Sequence, residues 1–164
     1  MTEQTTVIER IFIRAPSAER QTERESVRVL AGRGVDGDRY FDRHEEPGQN
    51  VTLVEAEAIE RFLQTQGRPH DLSVTGRNLV TRGVRLNDLL GQTFRAGGVT
   101  LRGVELCEPC LGLGKALASE TLKPADVVKA FLHCGGLRAD VVTDGVISVG
   151  DLIQRDATAA AQAA

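Results

Sequence analysis

The chain has no tryptophan and a single tyrosine, and aromatic residues make up only 4% of it. Single-stranded nucleic acid is held by stacking its bases on aromatic faces, so a base-stacking surface is not expected. The charge agrees. A formal net charge of −3 makes the chain a poor partner for bulk nucleic acid or an anionic membrane, although scattered arginines leave local basic spots open. No apolar run approaches the roughly 20 residues that span a bilayer. Met1-Thr2-Glu3-Gln4 lacks the basic and apolar stretches of a signal peptide. The expectation is a cytoplasmic protein with neither membrane nor nucleic acid as partner. Cysteine is scarce too. Three of them, an odd number, do not suggest a disulfide framework. In a reducing compartment they would be thiols, metal ligands or catalytic groups. There is no Walker-type phosphate loop, and no spacing suggests a Ser-His-Asp triad.

What is present is ordinary globular material: 164 residues, 41% hydrophobic and 26% charged, enough for one domain with its own core. The 17 glycines often end apolar runs, as turns do. Val7–Arg14 and Ser26–Leu30 alternate and read as strands, and Val51–Val54 is a short apolar strand. Pro16–Arg24 reads as a loop. Glu55–Gln66 switches to helical period, with Ala58, Ile59, Phe62 and Leu63 on one face and Gly67 as its stop. Asn78–Val80 is a short apolar segment. Thr93–Ala96 and Val99–Leu106 form a hairpin across Gly97-Gly98. Cys107–Gly114 reads as a loop and Lys115–Leu132 as partly helical with a break near Pro124. Leu137–Thr143 and Val146–Ile153 read as a closing hairpin across Asp144-Gly145. The Ala-rich residues 156–164 are expected to be a disordered tail. Seven to nine short strands with one to three short helices predict a mostly β fold, a closed or partly closed β-barrel rather than a doubly wound sheet.

The strongest chemical signal is Cys107-Glu108-Pro109-Cys110, directly after a strand. A thiolate attacks sulfur or binds metal, so its surroundings must favour the charged form. Arginines or a following helix N-terminus would do this. Three readings stay open. Cys110 alone is the active thiol; or Cys107 and Cys110 cycle as a dithiol, which would want a βαβ setting; or Cys107, Cys110, Cys134 and His133 hold zinc, although adjacent His133 and Cys134 rarely both reach one tetrahedral centre. Three inert buried thiols are the plain alternative.

Gly34-Val35-Asp36-Gly37-Asp38-Arg39 is a second polar cluster. It lacks EF-hand spacing and reads most simply as a tight turn with an Asp–Arg pair. His44 shares this loop and reads as a solvated residue. In Gly76-Arg77-Asn78-Leu79 the Arg fork suits phosphate or carboxylate, and Asn offers donor and acceptor, a pairing that fits an anionic heterocycle. A turn with a surface arginine is an equal alternative. Arg138 opens a strand after Gly135-Gly136, which let a backbone or a ligand approach closely.

Taken together, Gly76-Arg77-Asn78-Leu79-Val80, Leu89-Leu90-Gly91-Gln92-Thr93-Phe94 and Leu106-Cys107-Glu108-Pro109-Cys110 resemble the core of the MOSC domain, named for the C-terminal domain of molybdenum cofactor sulfurases. Gly34–Tyr40, Val51–Ala58, Gly135–Ala139 and Asp144–Asp151 resemble its flanking segments, so the likeness runs from about residue 7 to about residue 153 of a single domain spanning 1–164. The resemblance implies a barrel and one important cysteine, Cys110, as ligand of molybdenum in a pterin-type cofactor. By the same carry-over Arg77, Asn78, Arg138, Asp38 and Arg39 would contact that cofactor. It implies either reduction of N-hydroxylated small molecules with electrons from a separate reductase, or a sulfur carrier that accepts persulfide sulfur from a cysteine desulfurase. Pyridoxal phosphate would belong to that desulfurase, since this chain carries no pyridoxal phosphate site of its own. A zinc-stabilised structural domain is the third reading.

Overall fold

The computed structural model describes residues 5–43 and 45–156. His44 and all of the expected C-terminal tail beyond Asp156 lie outside the described residues. In chain order the elements are β1 (Val7–Ile13), β2 (Thr22–Arg24), β3 (Ser26–Leu30), β4 (Gly34–Val35), β5 (Val51–Glu55), α1 (Ala56–Thr65), β6 (Leu79–Arg82), a 3-10 turn (Leu86–Leu89), β7 (Thr93–Ala96), β8 (Val99–Leu106), α2 (Leu111–Leu117), α3 (Pro124–Ala130), β9 (Leu137–Val141), β10 (Gly145–Ser148) and β11 (Ile153–Arg155).

Eight strands form one sheet in the order β11-β7-β8-β9-β5-β6-β1-β2, and β10-β3-β4 form a second. The large sheet curls until its ends meet. Ile8 N donates to Asp151 O at 2.9 Å, Gly150 N to Ile8 O at 2.8 Å and Ile153 N to Thr6 O at 2.9 Å, with an antiparallel bridge between Val7 and Leu152. The result is a partly closed barrel, the architecture expected from the short strands.

Period-2 alternation divides the apolar side chains between two cores. Ile11, Ile13, Val51, Leu53 and Leu79 point inside the barrel. Their neighbours Phe12, Val54 and Val80 point outside, where they pack with the helices. α1 crosses over between the parallel strands β5 and β6 and lays Ala58, Ile59, Phe62 and Leu63 against that outer face. Phe62 meets Phe131, just past α3, at 5.1 Å between ring centroids.

Three sequence expectations are corrected. The Pro16–Arg24 loop contains β2, which pairs through Thr22–Arg24 with β1 although all three residues are exposed; a strand with no buried face leaves no hydrophobic pattern to read. The Cys107–Gly114 loop ends early, because α2 begins at Leu111 and buries Leu113 and Leu117; the expected break near Pro124 is present, with α2 stopping at Leu117 and Pro124 starting α3. The hairpin across Asp144-Gly145 does not form. β9 pairs with β8 and β5, whereas β10 pairs with β3. Asp144 Oδ1 accepts Ala31 N at 2.7 Å, which draws the chain to the second sheet. No described helix is long and apolar enough to cross a membrane.

Candidate functional site

The antiparallel pairs β1·β6 and β8·β9 place the C-terminal ends of β1 and β8 beside the N-terminal starts of β6 and β9. Arg14, Leu106, Asn78 and Arg138 therefore meet at one end of the barrel. The loop after β4 crosses this end. Gly48 N donates to Asp140 Oδ1 at 2.7 Å, and Gly48 has φ +86 and would set a Cβ 3.2 Å from Val104 and 3.3 Å from Arg138, so no larger residue closes the wall this tightly. The enclosed cleft measures about 440 Å³.

Asp38, Arg39, Arg77, Asn78, Arg138, Cys107 and Cys110 all line it, so segments up to a hundred residues apart in sequence converge. Arg14, Gln21, Tyr40, Thr52 and Glu105 line it as well and had not been singled out. Arg14 closes the first alternating strand, which marked it only as a strand end. Gln21 stood in an apparent loop and carried no signal. Four arginines (Arg14, Arg39, Arg77, Arg138) and three acidic residues (Asp38, Glu105, Glu108) line the cleft, a net positive lining in a chain of net negative charge; Arg14 Nε donates to Ala18 O at 2.9 Å and the Arg39 guanidinium lies over the Tyr40 ring. A bulge in β8, where Val104 is the extra residue between Gly103 and Glu105, sets Glu105 opposite Arg138. Their ion pair spans 3.4 Å, with side chains 63% and 38% exposed, and such a pair holds weakly. Arg77 Nε donates to Gly135 O at 3.2 Å.

Cys110 is exposed and stands as the N-cap of α2, with φ −106 and ψ 169. The backbone N–H of Leu113 holds its thiol below the ordinary thiol range. A little desolvation works against this, and the Gly112 N–H and the Arg77 charge add to the lowering. The stabilised form is the thiolate, the reactive and metal-binding one. Cys107, 7% exposed, is pushed the other way by burial, with Arg77 and Arg138 opposing. Cys134 is likewise raised by burial.

The cysteine pair lies between the antiparallel strands β8 and β9, not in the βαβ setting that a dithiol motif wants, and the zinc ligands named from the sequence do not come together. The helix starts after the second cysteine instead of containing it, and residues 107–110 run without turn or bend. Cys134 is not in the cleft. It packs beside the helical core, its thiol 3.6 Å from Ala130 O, and His133 holds φ +65 with its carbonyl accepting Asn87 Nδ2 at 2.8 Å. Among the described residues no group of three or more His, Cys, Asp or Glu side chains is placed to hold a metal ion. Of the Gly135-Gly136 alternatives, close backbone approach is what the fold uses: a Cβ on Gly135 would lie 2.1 Å from Cys107 O, and one on Gly136 2.1 Å from Leu53 O.

A family model for the MOSC domain matches residues 41–154. Comparison with curated proteins gives no match. Among solved structures, the YuaD protein of Bacillus subtilis superimposes with a TM-score of 0.77 at 19% identity, covering 94% of this chain and 98% of that one. YiiM from Geobacillus stearothermophilus gives 0.70 at 20% identity, covering 92% and 75%. YiiM from Escherichia coli gives 0.65 at 14%, covering 96% and 71%. At these identities the likeness concerns the fold.

Proposed function

The chain belongs to the MOSC domain family, and from that premise we propose that its arginine-lined cleft binds a molybdenum–pterin cofactor through Cys110 and serves to reduce N-hydroxylated small molecules. The observation that carries this reading is the pairing of an exposed, thiolate-favouring Cys110 with four guanidinia in one cleft. The donor chemistry fits such a group. Thiolate is a soft ligand suited to molybdenum. Guanidinia bind phosphate oxygens by forked hydrogen bonds. Gln21 Oε1 is buried without a hydrogen-bond partner among the described residues, and it offers an acceptor to a heterocyclic N–H. The volume lies within the roughly 300–1,000 Å³ of small-ligand pockets.

When bound, the cofactor would supply a metal able to take up and return electrons. The chain's own part is to hold and orient. Cys110 would hold the metal. Arg77, tethered to Gly135 O, would meet the anionic end while keeping the Cys110 sulfur ionised. Arg138, free to leave the weak Glu105 pair, would add a second cation. Electrons would come from a separate reductase. Protein from a cofactor-producing host, given an N-hydroxylated amidine and a reductase, should form the amidine, and Cys110→Ala should lose that activity. An equally active Cys110→Ala would refute the reading.

The exposure of Cys110 favours a second reading, a sulfur carrier. The Cys110 thiolate would attack the outer sulfur of a desulfurase persulfide. The donor's S–S bond would break, its thiolate would leave, and a new S–S bond would form on Cys110. In this case the same protein is inactive in the reduction and gains a Cys110-bound sulfur from a desulfurase supplied with cysteine.

A further inference from the structure

Asp38 and Asn78 are two of the least exposed polar side chains in the molecule, at 5% and 6%. The resemblance offers both as cofactor contacts, and their hydrogen bonds give them a different task. Asn78 Oδ1 accepts Thr52 N at 3.1 Å and Thr52 Oγ1 at 3.2 Å. Its Nδ2 donates to Phe12 O at 3.1 Å and to Asp38 Oδ1 at 3.3 Å. A backbone N–H can only donate and a carbonyl can only accept, so the amide has one possible orientation. Both lone pairs and both hydrogens are then in use, and nothing remains for a ligand. Asp38 is similarly engaged: Oδ1 also accepts Arg14 N at 2.9 Å, and Oδ2 accepts Tyr40 N at 3.2 Å.

The groups these two residues hold are the segments that carry the cleft's cations. Arg14 is bonded directly through its backbone. Arg39 follows Asp38, and its N donates to Arg14 O at 2.7 Å. Arg77 precedes Asn78, whose own N donates to Thr52 Oγ1 at 3.1 Å and whose O accepts Phe12 N at 2.7 Å. We infer that Asp38 and Asn78 form a buried acid–amide hub that positions Arg14, Arg39 and Arg77 for anion binding without either touching the anion. The inference rests on the anion-binding reading of the cleft given above. They are positioning residues, and preorganised forks bind oxyanions better than loose ones because less freedom is lost on binding.

The test turns on a sign. Removing a negative charge from an anion site strengthens anion binding if that charge acts directly. The hub predicts the opposite. Sulfate, measured by isothermal titration with the full-length chain and no cofactor, should bind Asp38→Asn about fivefold more weakly than wild type, a loss of about 1 kcal/mol, with the variant still folded by thermal melt. Equal or tighter sulfate binding by Asp38→Asn overturns the inference. Should that variant not fold, Asn78→Ser, which changes no charge, takes its place: weaker sulfate binding supports the hub and unchanged affinity overturns it. Wild-type protein that binds no sulfate contradicts the anion-binding cleft itself and removes the premise.

Discussion

At the residue scale, the chemistry divides three cysteines by their surroundings. Cys110 has backbone N–H groups and Arg77 favouring its thiolate, whereas burial disfavours ionisation of Cys107 and Cys134. Iodoacetamide at neutral pH should therefore label Cys110 first, read by peptide mass spectrometry. Arg77→Met removes a favourable charge, so the pH midpoint of Cys110 labelling should move upward, by less than loss of the Leu113 N–H would cause. A midpoint unchanged or lowered would show that Arg77 does not act on the sulfur. The sequence marked the Cys107–Cys110 segment because thiols in a Gly/Pro-containing loop after a strand are unlike core fillers, and the family resemblance singled out Cys110. It was silent on Arg14 and Gln21, whose roles come from a β1–β2 connection that carries no hydrophobic pattern. It also suggested a ligand role for Asn78, since sequence shows donors and acceptors but not which of them the protein itself consumes.

At the element scale, period and alternation made β1, β3, β5, α1 and the β7–β8 hairpin legible, because each buries one face against a core. The misread elements are those whose partners are distant. β10 joins β3 across more than a hundred residues, and turn chemistry at Asp144-Gly145 argues only for a local hairpin. One polar cluster ties elements together outside the cores. Arg82 on β6 forms ion pairs with Glu9 on β1 and Glu60 on α1, and His70 reaches Glu60 at 3.1 Å. Arg82 holds the Glu60 carboxyl below its usual range, against a smaller effect of burial and with His70 assisting. A carboxylate depressed in the folded state adds stability above its unfolded pKa, and that stability is lost as pH falls through the folded value. Arg82→Met should thus lower Tm near neutral pH, by about 2–4 °C given solvent screening at this partly exposed site, and the gap should narrow in acid. A gap that persists in acid would assign the loss to packing rather than charge.

At the scale of the whole molecule, barrel closure is what makes a site. The residues 14, 38–39, 77–78, 105–108, 110 and 138 are dispersed along the chain, and antiparallel pairing gathers them at one end. Composition and motif order were enough to anticipate a partly closed barrel of this family. They could not anticipate that the gathered charged groups would be mostly cationic in an acidic chain, or that α2 would begin directly after Cys110. Those facts follow from register and from the start of α2, which only the folded chain defines. The central claim, that Cys110 and the arginine cleft form a molybdenum cofactor site, is tested most directly by metal content. Wild type and Cys110→Ala, expressed in a cofactor-producing host and purified side by side, are measured by inductively coupled plasma mass spectrometry. The account predicts molybdenum in the wild type and its loss in the variant. Molybdenum retained in full by Cys110→Ala, or absent from both, would contradict it.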